Sequence, residues 1–302
     1  MIEFKTPQLA DRAWAAPLLG AEGCIASHCN FANLYLWSRA FRQKIARLDD
    51  RLLIRFEGAR GMCYAYPSGT GPLAPALDAL KAESAVQGRP LMLAGVTACQ
   101  RERLEEQFPG RFAFEEDRDG WDYVYDINRL ADLGGKKLHA KRNHIHRFDD
   151  RYPDWSFEPI TRDNVKECLA LEDEWAANRH GDEPGADTLH EETVAVIEAL
   201  YQMETLEMEG GLIRAEGRPI AFSMGSYTTP ECFDVHFEKA FGDIQGAYAV
   251  INREMARMIR ANHPEVKWLN REDDLGLEGL RKAKLSYYPD ILLEKFVAVE
   301  QG

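Results

Sequence analysis

The sequence predicts an α/β (α+β) fold built twice, as two mixed sheets that are each flanked by helices. Three observations predict it. Apolar residues make up 45% of the 302 residues, enough for two cores at roughly 100 to 200 residues per domain. Short apolar runs alternate with helix-period segments along the chain. The order of elements in the first half recurs in the second, with no repeat of the sequence itself.

In the first half, Arg51–Phe56 and Met62–Tyr66 read as strands. Pro75–Gln87 reads as a helix, ended by Gly88 and Pro90. Leu91–Ala94 is a short apolar strand, and Ala98–Phe108 a helix stopped by Pro109-Gly110. Phe112–Phe114 and Tyr123–Ile127 complete this half as strands. In the second half, Trp155–Phe157 reads as a strand, then Asp163–Asn178 and Thr188–Glu204 as helices. Gly211–Ala215, Pro219–Ser226 and Cys232–Glu238 are strands. Gln245–Asn262 is the strongest helix, because Tyr248, Ile251, Met255, Met258 and Ile259 recur at 3- and 4-residue spacing. Val266–Leu269 is a strand, Leu277–Leu285 a helix and Ile291–Val299 a closing strand. The expected division is a first domain over residues 1–130, a basic joining helix over 131–150 and a second domain over 151–302 that carries the site.

Composition removes several classes. No apolar run approaches the roughly 18 residues that span a bilayer, and MIEFKTPQLADRAW lacks a signal peptide's basic start and apolar core. The chain is therefore expected to be cytoplasmic, with a peripheral place at a membrane surface still open to it. Six cysteines without CxxC spacing argue against a zinc ribbon and a disulfide framework. A net charge of −13 disfavours broad nucleic-acid binding but leaves room for a confined basic groove.

Against that acidic background, Lys136–Arg147 (KKLHAKRNHIHR) holds five Lys/Arg and three His with no acid. It follows the flexible joint Asp132-Leu-Gly-Gly and has helical period. Leu138, Ile145 and Phe148 share one face, flanked by Lys141 and Arg142. These two cations are the ones expected against the protein body, where Arg142 suits a bidentate grip on phosphate or carboxylate. Metal binding by His139, His144 and His146 is weakly supported, since no acid or cysteine accompanies them. An ordinary solvated basic helix is the plain alternative.

In the second half, period-2 alternation over Phe233–Glu238 puts Phe233, Val235 and Phe237 on one face and Asp234, His236 and Glu238 on the other. Such a line supplies a general base, His236 or Glu238, or else a half-solvated strand with its polar side outward. The loop Phe241–Ala247, with Gln245 and Gly246, opens the strongest helix, and a helix N-terminus is an anion site. Asn270, Glu272, Asp273 and Asp274 crowd one strand end. Asp273 or Asp274 suits the cap of the following helix, and Arg281, Lys282 and Lys284 favour its C-terminal dipole.

With these residues in place, the order three strands, glycine loop, helix, strand, helix, strand resembles the GNAT acyltransferase fold. YVYDINRLADLGGKKLHAKRNHIHRF and WLNREDDLGLEGLRKAKLSYYP, with Asn30–Trp37, resemble the C-terminal domain of phosphatidylglycerol lysyltransferases, relatives of the Fem-type transferases. The resemblance covers nearly the whole chain. It implies tandem GNAT-like domains and an acyltransferase that moves an aminoacyl group from aminoacyl-tRNA to an amine or hydroxyl of a lipid, peptide or small molecule; the first half is expected to be non-catalytic, since its strand ends Leu91–Ala94 and Gly95-Val-Thr97 carry little chemistry. It implies that Lys141 and Arg142 hold the tRNA acceptor end, that His236 or Glu238 orients or deprotonates the acceptor, and that Asn270, Asp274, Arg281 and Lys284 line the aminoacyl pocket. Gln245, Gly246 and Tyr287 are further candidate binding residues, and Lys284 a candidate oxyanion donor. No metal or cofactor is required. Acyl-CoA enters only as donor in an alternative GNAT N-acyltransferase reading. The Phe241–Ala247 loop does not fit the Q/R-x-x-G-x-G/A pattern of CoA sites, and Asp243 would repel a pyrophosphate. A non-catalytic anion- or nucleotide-binding module is the remaining alternative.

Overall fold

The computed structural model describes residues 2–58, 60–178 and 186–301. The elements run α1 (Arg12–Gly20), α2 (Phe31–Leu36), β1 (Lys44–Leu48), β2 (Arg51–Gly58), β3 (Gly61–Tyr64), β4 (Ser68–Gly69), α3 (Leu73–Val86), β5 (Met92–Thr97), α4 (Ala98–Gln107), β6 (Phe112–Glu116), β7 (Asp122–Asp126) and α5 (Ile127–Asp132). They continue as α6 (His139–Arg151), β8 (Ser156–Pro159), α7 (Val165–Ala177), α8 (Ala186–Gln202), β9 (Glu209–Ala215), β10 (Arg218–Thr229), β11 (Cys232–Ala240), α9 (Ala247–Asn262), β12 (Trp268–Asn270), α10 (Glu278–Leu285), β13 (Ile291–Leu293) and β14 (Lys295–Glu300). The expected helices and strands all fall on this series. The expected start of α8 lies partly outside the residues whose side chains are described. Sequence reading missed α1, which carries Pro17 inside it, and the short α2, β1 and α5.

Two mixed sheets result. One runs β1-β2-β3-β5-β14-β6, with β4 on β2, and the other runs β13-β7-β12-β11-β10-β9-β8. The chain divides into two compact units: Met1–Tyr123 with Glu272–Lys282 and Leu292–Gly302, and Val124–Arg271 with Ala283–Ile291. This corrects the contiguous halves. The expected closing strand 291–299 breaks at the exposed Glu294, and β14 pairs antiparallel with β5 and β6 in the first unit. The reason is burial. Phe296 and Ala298 complete an apolar core with Leu77, Leu80, Leu93 and Val96, and Lys295 is held at 2.6 Å by the buried Asp122.

In the second unit, α9 buries Ile251, Met255 and Ile259 of the expected stripe, with Val250 beside them, and leaves Tyr248 and Met258 half-buried. No helix of the described residues is long and apolar enough to cross a membrane.

Candidate active site

The expected joining helix 131–150 is the end of α5, a turn and then α6, which starts at His139 rather than Lys136. Leu138, Ile145 and Phe148 are buried, and Phe148 packs on Tyr152 and Trp155 at ring-centroid distances of 5.0 and 6.0 Å. That face fixes the two flanking cations. Lys141 Nζ sits 3.9 Å from the centre of the Tyr287 ring, a cation–π contact. Burial first, and the Arg271 charge second, push the Lys141 ammonium down to about 8, while the Glu238 carboxylate works the other way. Arg142 turns to the joint and donates to the carbonyls of Leu133 and Gly135. The three histidines of the segment are exposed.

The charge facing Lys141 comes from the sheet. Glu238, near the end of β11, accepts from Arg271 Nη2 at 2.9 Å and from Asn252 Nδ2 of α9 at 3.0 Å. Arg271 follows β12 directly and lies over the Tyr287 and Tyr125 rings at 5.0 and 5.8 Å. Lys284 is buried and donates through Nζ to the Arg271 carbonyl, while Tyr125 Oη donates to the Lys284 carbonyl at 2.8 Å. Lys137 sits over Tyr288 at 5.3 Å. Two cations, Lys141 and Arg271, thus face one carboxylate and share the Tyr287 ring, with the Lys284 ammonium on the Arg271 carbonyl. In a chain of net charge −13, this is a local positive field suited to an anionic ligand.

The predicted line Asp234–His236–Glu238 does not hold. Gly225 pairs with Val235 and Met224 with Phe237, so His236 is an extra residue, a β-bulge. An inserted residue reverses the alternation beyond it. Glu238 accordingly meets α9, while Lys239 lies 3.5 Å over the Trp175 ring of α7. His236 bonds Ser226 Oγ through Nε2 at 2.8 Å, and its Nδ1 is 3.5 Å from Asp234. The strand is not half-solvated either: Asp234 is 0% and His236 7% exposed, because both sheet faces are covered.

The other candidates separate. Asp274 and Arg281 belong to the first unit and pair with each other through Arg281 Nε and Nη2, at 2.8 and 2.7 Å. Burial would raise the Asp274 carboxyl, but bonds from Arg281 and Tyr123 win and hold it down to about 2. Asp274 also accepts from the Gly276 amide at 2.9 Å, which closes the turn ahead of α10 rather than capping the helix itself. Asn270 is fully buried on β12, in register with Asp234 and Val124. Gln245 is exposed. Gly246 precedes α9 with φ +94°, and a Cβ there would lie 2.6 Å from the His144 carbonyl. Helix α6 therefore occupies the close approach that this glycine was expected to offer a ligand.

Sequence reading passed over Arg271, Asn252 and Tyr125. Two signals were present. Asn252 lies on the apolar stripe of its helix, three residues before Met255, and Arg271 is the one cation in an acidic strand end.

Comparisons with known proteins bear on the family and the fold. The family model for phosphatidylglycerol lysyltransferase, C-terminal, matches residues 25–299. A crystal structure of a conserved protein of unknown function from Bacteroides thetaiotaomicron is 39% identical and covers 100% of both chains with a TM-score of 0.91. The structure of L-PGS from Bacillus licheniformis is 14% identical, covers 85% of this chain and 84% of that one, and has a TM-score of 0.58. FemX is 10% identical over 98% of this chain and 97% of its own, with a TM-score of 0.58. At these lower identities the likeness is one of fold alone, two mixed sheets flanked by helices. An uncharacterised protein of Mycoplasmoides gallisepticum is 23% identical over 180 residues, a match that spans 54% of that protein.

Proposed function

The chain belongs to the phosphatidylglycerol lysyltransferase C-terminal family, and from that premise we propose that it transfers an aminoacyl group from aminoacyl-tRNA to an amine or hydroxyl acceptor. One observation carries the reading. Glu238 is bracketed by Arg271 and Asn252, with Lys141 and Arg271 over the Tyr287 ring and the buried Lys284 bonded to the Arg271 carbonyl. The acceptor nucleophile attacks the ester carbonyl and passes its proton to Glu238; as the tetrahedral oxyanion collapses the ester C–O bond breaks, and Glu238 gives the proton to the departing tRNA oxygen. A positive surround lowers the energy of that oxyanion, and Lys141 offers a contact for a terminal phosphate. Glu238 rather than His236 takes the base role, because His236 is engaged with Ser226 and Asp234. The covered Gly246 counts against acyl-CoA as donor, since a pyrophosphate needs that backbone open.

The test is Glu238→Gln, which keeps size and the Arg271 contact but removes the base. Transfer from labelled aminoacyl-tRNA is expected to fall about 100-fold or more in kcat, with KM little changed. Full activity in this variant contradicts the assignment. Lys284→Ala and Lys141→Ala are expected to lose transfer as well, with folding checked by circular dichroism.

A further inference from the structure

The first unit holds a pair of thiols that the transfer reading does not use. Cys24 and Cys29 are free, Cys24 half-buried and Cys29 only 3% exposed. The chain between them folds back in a single 3-10 turn over Ser27–Cys29, with the Cys29 amide donating to the Ala26 carbonyl at 2.9 Å. That turn brings the two side chains together, and their thiols hydrogen bond. The other four cysteines lie on four different elements, β3, α4, α7 and β11. The chain inside the pair is an anchor of the unit. The Ser27 amide and hydroxyl bind the buried Asp122 carboxylate at 2.8 and 3.0 Å, and Asp122 in turn holds Lys295 at 2.6 Å. His28 packs on Gly95 of β5, where an added Cβ would lie 3.5 Å from the ring.

The two sulfurs are placed for different roles. The bond from Cys29 holds the Cys24 thiol below the usual range against the effect of burial, helped by the Ala26 amide and the Lys295 ammonium and opposed by the Asp122 charge. The same bond, with burial, pushes the Cys29 thiol well up. The half-buried sulfur is thus the readier thiolate, and a protonated thiol lies against it. Redox-responsive cysteines favour the thiolate, reach solvent and stand beside a second thiol that resolves them. We infer that oxidants of the peroxide or small-disulfide class react with Cys24, and that Cys29 then closes a Cys24–Cys29 disulfide around the Ser27 anchor. With a peroxide, the Cys24 thiolate attacks one oxygen, the O–O bond breaks, and the departing hydroxide takes a proton and leaves as water. Cys24 is then a sulfenic acid. The Cys29 sulfur attacks it, the S–O bond breaks, and the oxygen leaves as water with the Cys29 proton. With a small disulfide, Cys24 first forms a mixed disulfide and releases one thiol, and Cys29 releases the other. The bridge shortens the free loop of the unfolded chain and so tightens the anchor. This proposal is independent of the transfer reading.

Peptide mapping by mass spectrometry tests it. The full chain is treated with hydrogen peroxide or with glutathione disulfide, and remaining thiols are alkylated. The Cys24–Cys29 segment is expected to lose two hydrogens and take no alkyl label. The exposed Cys99, which stands alone on α4, is the internal control. Cys24 is expected to react about tenfold or more faster than Cys99. Cys29→Ser is expected to stop the reaction at Cys24, as a sulfenic acid captured by dimedone or as a stable glutathione adduct. Cys24→Ser is expected to leave Cys29 reduced. The bridged protein is expected to melt a few degrees above the reduced one, with no such shift in either serine variant. Cys24 reacting no faster than Cys99, or wild-type Cys24 ending as an adduct with no link to Cys29, overturns the site. A bridged protein with an unchanged Tm overturns the tightening of the anchor. The wild-type map decides by itself if a serine variant does not fold.

Discussion

Lys141 is the residue whose behaviour most directly reports the electrostatics of the site. Its ammonium falls from the usual 10.5 to about 8. As a phosphate ligand it works only when charged, so affinity for a CCA-ended oligonucleotide is expected to decline as pH rises from 7 to 9. Lys141→Arg keeps its charge throughout and is expected to flatten that profile; an unchanged slope would place the titration elsewhere. The stability effect has the opposite direction. Between about 8 and 10.5 the unfolded chain binds more protons at this position, so this group's contribution to stability rises with pH in that window. Glu172 behaves differently. Burial pushes its carboxyl up to about 7, against the pull of Lys239. The folded protein then holds more protons than the unfolded chain between the usual 4.5 and about 7, so stability falls as pH rises through that range. Glu172→Gln is expected to raise Tm by a few degrees at pH 8 and to leave it nearly unchanged at pH 5, read by thermal scans at the two pH values.

At the scale of elements, the helix α6 carries the site because it is seated on α9. Gly246 is the point of closest approach, with positive φ and the His144 carbonyl and Phe148 Cβ within 2.6 and 2.9 Å of any added Cβ. Gly246→Ala is expected to destabilise the protein by about 1–3 kcal/mol from backbone strain alone, measured by urea unfolding, and to lower transfer by displacing Lys141. Wild-type stability in this variant contradicts that seating. The apolar faces of α6 and α9 were legible in the sequence, because 3- and 4-residue spacing reports which side of a helix is buried. The polar order along β11 was not. A β-bulge at His236 leaves no mark in a period-2 pattern, since it depends on the β10 register opposite. For the same reason the predicted Asp–His–Glu line became two clusters, and Arg271 and Asn252, which hold Glu238, were seen only once the strands were placed. Asp274 and Arg281 looked like pocket residues because they were polar and close in sequence; their mutual ion pair uses that polarity.

For the whole molecule, the order of elements predicted two mixed sheets, and two sheets are present. Chain order alone did not predict the exchange of strands. The terminal strand β14 is an interior strand of the first sheet, and β7 of the first half is an interior strand of the second. The pattern Phe-Val-Ala-Val marks β14 as buried without saying in which sheet. Removal of residues 295–302 is therefore expected to abolish cooperative unfolding of the first unit, rather than trim a loose end, as seen by near-UV circular dichroism. Lys295→Met leaves the buried Asp122 carboxylate without its ammonium and is expected to cost about 3–5 kcal/mol.

The central claim concerns what this two-unit protein moves. Purified protein, total tRNA charged with labelled amino acids and a cell extract supply every reactant the account requires. The account predicts that label leaves the tRNA ester and appears in a lipid or peptide fraction, and that Glu238→Gln stops it. Label that stays on tRNA, or that leaves only as free amino acid, with the folded wild-type protein present, contradicts it.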